Sequence, residues 1–262
     1  MPSIHTNRGI GRARKARAAL GLPADQPLGD IVALLEQRAG VNVVVLDLGE
    51  RVAGAYVSRR GRTLLFVNGA QPPARQRFTV AHEYAHHRLE HGPVIDDDAA
   101  LGGLAADPRE VEANAFAAEF LMPRAAVERL YPGLPALRLS LEEVVRIACA
   151  FGVSAQMARI RLETCRVLAD AEHRARLDRE LQEGLHLELI DRLGLSEPDD
   201  AIAAAAAAPA RIPDELRASP LGRLLAGEMG VEDVAARIGR PPGEVGRVLT
   251  ATGLHPAAST AG

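Results

Sequence analysis

Lysine is almost missing from this 262-residue chain: of its 31 basic residues only Lys15 is a lysine. With alanine abundant, this reads as GC-rich coding bias and is no evidence for a function. Cysteine is scarce too. Cys149 and Cys165 have no C-x-x-C pairing, which argues against a disulfide framework or a thiolate metal site and for two ordinary buried thiols. No apolar run approaches the roughly 20 residues of a membrane span. The basic N-terminus runs into "AALGLPADQPLGD", which offers no apolar core for a signal peptide. The expectation is a cytoplasmic protein with no membrane partner. Excess charge is also lacking, because a formal net charge of -3 gives no global argument for nucleic acid or membrane binding. Only residues 8–17 are locally basic, and they read as a solvated tail.

An apolar fraction of 47% suits a globular protein with room for one good-sized domain and a smaller one. Residues 28–39 have helical spacing up to Gly40, and "VNVVVLDL" after them is β-branched and reads as a strand. "GAYVSRRGRTLLFVN" looks like two short strands turned at Gly61. Pro72 and Pro73 break the chain before a helix over 74–90. A Gly- and Asp-rich loop, "GPVIDDDAALGGLAAD", leads to a helix over 108–121, with Asp107 as N-cap and Pro108 at its first position. The rest is helical in pattern, apart from "DDAIAAAAAAPARIP". The division is thus a basic N-terminal segment (1–27), an α+β domain with a small antiparallel sheet (28–130), a helical region (131–198), an Ala/Pro-rich linker (199–213) and a small C-terminal helical unit (214–262).

Four of the eight histidines fall in "RFTVAHEYAHHRLEH", where His82, Glu83 and His86 spell H-E-x-x-H. On a helix with His82 at zero, His86 lies at about 40° and Glu83 at about 100°, whereas Phe78, Ala81, Ala85 and Leu89 cluster on the other side. The helix would pack by its apolar side and turn the histidine pair toward a cleft. Two imidazoles at i and i+4 can meet one Zn2+. His87 and His91 point elsewhere on this wheel and read as surface or helix-end residues. By chance the motif arises in on the order of one such chain in fifty, so a further ligand has to decide the matter.

"REVEANAFAAEFLMP" supplies candidates. Glu110 and Asn114 share a face with small and apolar neighbours, while Glu112 and Glu119 fall on the opposite side and look solvent-facing. Asp107 and Glu110 also have capping-box spacing, which would explain this glutamate without metal.

Taken in order, "GAYV" and "LLFVN", then "RQRFTVAHEYAHHRLEH", then "EVEANAFAAEFLMP" resemble the ImmA/IrrE family of zinc metallo-endopeptidases over about residues 28–170. The resemblance implies a zincin-like domain with one Zn2+ per chain, ligated by His82, His86 and Glu110. It implies Glu83 as general base and Asn114 as the residue that orients a ligand histidine. It further implies a helix-turn-helix repressor as substrate, whose cleavage derepresses stress-response or mobile-element genes. An extended substrate would add to the strand "TLLFVN". The sequence names no residue for stabilising the oxyanion: of Tyr84, Tyr131 and His87, each reads more readily as structural.

Two helical segments have helix-turn-helix spacing: "EEVVRIACAFGVSAQMARIRL", with Gly152 at the turn and Ser154 as cap, and "VEDVAARIGRPPGEVGRVL", with Gly239 at the turn. Residues 137–168 carry five arginines against three acids, and residues 211–255 six against six, so neither is a phosphate footprint. Docking of the substrate repressor, or scaffolding, is favoured over direct DNA binding. A DNA-binding regulator with a metal-sensing, non-catalytic domain, or a toxin–antitoxin component acting by binding, are the alternatives. Neither alternative needs Glu83.

Overall fold

Asp30 caps the helix that leads into the sheet by accepting from the Ala33 amide, and Gly40 ends it in the left-handed conformation. In this computed structural model, which describes residues 3–49, 52–59, 61–92, 94–97, 107–131, 139–195, 210–238 and 241–251, that helix is α2 (Ile31–Ala39). It is preceded by α1 (Ile4–Ala19) and followed by strands β1 (Val41–Leu46), β2 (Val52–Arg59) and β3 (Arg62–Asn68). Next come α3 (Pro73–Leu89), which carries the H-E-x-x-H residues, β4 (Val94–Asp97) and α4 (Pro108–Leu121).

The described sheet has five strands in the order β4-β2-β3-β1-β5, where β5 is Ala210–Arg211. It is mixed, not antiparallel as expected: β1 runs parallel to β3, and the other three pairings are antiparallel. The β-branched run of β1 explains why. Val43 and Val45 face one hydrophobic cluster while Val44 and Leu46 face another, so both faces are covered and the strand reads as continuously apolar. On the first face lie α1 to α4. On the second lie Ile212, Leu216, Leu224, Leu225, Val234 and Leu249. The C-terminal residues read as a separate unit therefore share a core with the strands, and Arg211 ties β5 to α2 through a two-pronged pair with Glu36 (2.9 and 2.7 Å). Of the linker read over 199–213, residues up to 209 lie outside the described residues.

Three further expectations change. β3 is interior, between β2 and β1, so it has no free edge for a substrate strand. The Gly/Asp-rich loop contains β4, an edge strand paired antiparallel to β2, and residues 98–106 of it lie outside the described residues. The basic N-terminal segment is not a solvated tail. α1 lies along α4 in the same direction, with Ala13 and Ala16 fully buried and Arg17 donating to the carbonyls of Phe120, Pro23 and Gln26. Gly9 makes this possible, because a Cβ there would meet the Glu112 carbonyl oxygen at 2.2 Å.

Helices α5 (Arg124–Leu130), α6 (Leu141–Phe151), α7 (Ala155–Thr164), α8 (Ala171–Gln182) and α9 (Leu185–Arg192) follow. Residues Leu139 to Leu181 contribute to the same cluster as α3 and α4. Ser140 forms a capping box with Glu143 at the start of α6, Gly152 ends that helix, and Ser154 caps α7. The arginines of α7 are committed internally: Arg159 pairs with Glu163 and Asp178, and Arg161 with Glu119 and the Met122 carbonyl. Helices α10 (Asp214–Arg217), α11 (Pro220–Leu225), α12 (Val231–Ile238) and α13 (Pro242–Ala251) complete the described chain. The proposed turn at Gly239 between the last two lies outside the described residues. Among the described residues no helix is long and apolar enough to cross a membrane.

Candidate metal centre

α3 is buried nearly all round, which the helical wheel did not anticipate. Its polar arc faces no open cleft: Gln76, Thr79, His82, Glu83 and His86 are all fully buried, because α4 and β2 close over it. His82 and His86 come together by helical spacing, with Nε2 atoms 3.0 Å apart. Glu110, from the first turn of α4, brings Oε2 to 3.1 Å from His82 Nε2 and Oε1 to 3.6 Å from His86 Nε2. The capping-box reading of Glu110 is set aside, since Asp107 accepts from the Arg109 amide while the Glu110 carboxylate turns to the histidines. Burial alone would raise the Glu110 carboxyl. Hydrogen bonds and charge from His82 and His86 outweigh it and hold the group well below the usual carboxylate range.

Hydrogen bonds behind the histidines indicate which nitrogen carries the proton. His82 Nδ1 lies 3.0 Å from Asn114 Oδ1, an acceptor, so this nitrogen donates, and in the neutral ring Nε2 is then the lone-pair nitrogen. His91, expected on another face, stands behind His86 instead, with Nδ1 to Nδ1 at 3.0 Å. Its other nitrogen is 3.1 Å from Glu112 Oε2. A carboxylate can only accept, so His91 Nε2 donates, and a neutral His91 then offers Nδ1 as acceptor to His86 Nδ1–H. Burial pushes the His91 imidazole below its usual value, although its hydrogen bond to Glu112 pulls the other way. In the neutral His86 ring the lone pair then falls on Nε2 as well.

Two imidazole Nε2 atoms and a carboxylate thus converge within 3.0 to 3.6 Å. With both rings neutral such a group is repulsive unless a cation sits at its centre. Ligands at 2.0 to 2.1 Å in a tetrahedron stand about 3.3 Å apart, which the observed separations bracket. His82, His86 and Glu110 could hold a metal ion, and they form such a group among the described residues. Both histidine side chains are fully buried but Glu110 keeps 11% of its side chain exposed, so solvent approaches from the carboxylate side.

Glu83 packs against β2. A Cβ at Gly54 would stand 2.5 Å from Glu83 Oε1, 2.5 Å from Thr79 Cγ2 and 3.0 Å from the Phe66 carbonyl oxygen, so only glycine leaves this carboxylate its place. Tyr84 instead packs its ring against Phe116 and Phe120 in the core, 5.9 and 5.7 Å between centroids, and burial raises its hydroxyl's pKa. His87 lies against the rings of Tyr56 and Tyr84, and burial lowers its pKa. Tyr131 caps the end of α5, half-buried at the margin of the core.

Glu112 and Glu119, expected in solvent, are 2% and 1% exposed. The wheel placed them correctly on the far face of α4, but that face is covered by α1. Glu112 accepts from His5 (2.8 Å) and Arg8 (2.7 Å), and Glu119 from Arg14 (2.8 Å). The signal available in the sequence was complementarity: two acids two helical turns apart, and basic residues at a similar spacing, Arg8 and Arg14, near the N-terminus. His91 was missed because the helix ends before it. Glu90 adopts the left-handed conformation (φ 60°), and the amide of His91 returns to the carbonyl of His86 (3.1 Å) while that of Glu90 returns to His87. This Schellman-type ending folds His91 back beside His86, with ring centroids 5.0 Å apart.

Comparison with known proteins locates the same region. Residues 36–163 match the family model described as the IrrE N-terminal-like domain of the Peptidase M78 group. The chain is 28% identical over 155 residues to the "Radiation response metalloprotease IrrE" of Deinococcus deserti, an alignment covering 56% of this chain and 52% of that protein. The chain thus spans about half the length of that curated relative.

Proposed function

Because the chain belongs to the ImmA/IrrE family through residues 36–163, we propose that it is a zinc-dependent endopeptidase. The observation that carries this reading is the convergence of three lone-pair donors from His82, His86 and Glu110, each histidine oriented from behind. One Zn2+ held there would supply Lewis-acid polarisation of a peptide carbonyl and a water of lowered pKa. His82, His86 and Glu110 bind and orient. Asn114 and His91 keep the two imidazoles in the tautomers that ligation needs. Glu83, one residue beyond the first ligand, would serve as the proton carrier, accepting a proton at its carboxylate and returning one to the leaving amine. The buried surroundings strengthen each of these charge interactions.

The substrate in this reading is a helix-turn-helix repressor, cleaved to derepress stress-response or mobile-element genes. β4 is the sheet edge next to the site, since its Asp96 pairs with Gly54, and Gly54 borders Glu83. An extended substrate segment pairs with that edge, not with β3. The DNA-binding alternative is weakened by α7, whose Arg159 and Arg161 are spent on internal ion pairs.

The test is cleavage of purified helix-turn-helix repressors from the same genome by protein as isolated, stripped with chelator, and reloaded with one equivalent of Zn2+. Cleavage lost on stripping and restored on reloading is expected. Equal cleavage by the stripped sample, or none by zinc-loaded protein, sinks the proposal. A second expectation concerns Gly54. Gly54→Ala should displace Glu83, lowering kcat about 10- to 100-fold with zinc affinity unchanged. Full kcat in the alanine variant would show that the carboxylate needs no such room.

A further inference from the structure

His91 and Glu112 are not explained by the three ligands and the base, yet they are among the most constrained polar groups of the chain. The His91 side chain is 4% exposed and that of Glu112 3%. Both Glu112 oxygens are engaged: Oε1 accepts from His5 Nδ1 (2.8 Å), and Oε2 from Arg8 (2.7 Å) and from His91 Nε2 (3.1 Å). The two histidines of the centre are served differently. Asn114 Oδ1 is an acceptor by its chemistry, but His91 is an acceptor toward His86 only while its other nitrogen holds a proton for Glu112. Glu112, in turn, is a buried carboxylate and needs a cation beside it to stay ionised. Arg8 provides that cation from another helix, brought close by Gly9.

We infer that His91 is a positioning residue for the metal centre, and that α1 belongs to the centre's support: Arg8 and His5 hold Glu112, Glu112 fixes the proton on His91 Nε2, and His91 turns the His86 Nε2 lone pair toward the metal. The inference rests on the metallopeptidase reading above and extends it to the N-terminal helix, which lies outside the matched residues 36–163. The chain is ordered, and each link presupposes the previous one. Loss of Arg8 should therefore matter only while His91 is present to be oriented.

The experiment measures Zn2+ affinity of the full-length metal-free protein by competition with a chromophoric chelator, and the visible spectrum of the Co2+-loaded form. His91→Ala should weaken zinc binding about 10- to 100-fold and alter the cobalt spectrum. His91→Gln, whose side-chain oxygen can still accept from His86 Nδ1–H, should recover most of that loss. Arg8→Ala should weaken binding by a smaller factor, and should add nothing in the His91→Ala background. Arg14→Ala, on the same helix but paired with Glu119, should bind zinc like the wild type. Urea unfolding of each metal-free variant separates affinity from stability. Wild-type affinity in His91→Ala overturns the inference and leaves the peptidase reading standing, as does an Arg14→Ala loss equal to that of Arg8→Ala. Failure of the wild type to bind zinc at all overturns both.

Discussion

Glu83→Gln should reduce kcat/KM for peptide hydrolysis by about 10²- to 10⁴-fold, the span general acid–base groups contribute, while zinc affinity stays at the wild-type value. Glutamine matches glutamate in size, so it occupies the same fully buried place beside Gly54 and Thr79. It cannot take a proton from water. The contrast is Glu110→Gln, which removes a charged ligand from a site whose other two donors are neutral imidazoles, and should lower activity by emptying the site. Zinc content at equal protein concentration distinguishes the two variants. If Glu83→Gln hydrolyses the repressor within a few-fold of wild type, Glu83 is not the base, and the H-E-x-x-H helix serves some purpose that needs only its histidines.

How far the site was legible in the sequence follows from what fixes each residue. His82, His86, Glu110 and Asn114 stand at i, i+4 spacings on two regular helices, so one helical period placed them, and the structure brings all four together. The helix bounds 108–121 could be read from Asp107, Pro108 and Pro123, since caps and prolines are local signals. What escaped depends on where the chain leaves its period or on which element covers a face. His91 lies one residue past the left-handed Glu90, where a wheel no longer applies. The parallel pairing of β1 with β3 depends on a chain crossing that no strand pattern records, although a run of valines buried on both faces pointed to it. Gly54 opens the block "GAYV" that carries part of the resemblance, but why glycine stands there appears only when α3 lies across β2.

Glu119→Ala should destabilise the metal-free protein by about 3–5 kcal/mol in urea unfolding, more than any exposed ion pair could account for. Glu119 joins three helices: it accepts from Arg14 of α1 and from Arg161 of α7, and it stands on α4 itself. The weight falls on Arg161, whose side chain is 6% exposed and which otherwise donates to the Met122 carbonyl at 2.7 Å. Without Glu119 that guanidinium is a buried charge with no counter-charge, and the cost is its desolvation. Arg14, 57% exposed, should behave differently: Arg14→Ala is expected to cost no more than about 1 kcal/mol. Replacing both members of the buried pair, Glu119→Leu with Arg161→Met, should recover most of the loss, because two apolar chains of similar size remove charge and counter-charge together. Equal, small losses for Glu119→Ala and Arg14→Ala would mean that water reaches Arg161, and that α4 is not held between α1 and α7 by this pair. A large loss relieved in the double variant places the stability of the helix that carries Glu110 on a contact remote from the metal.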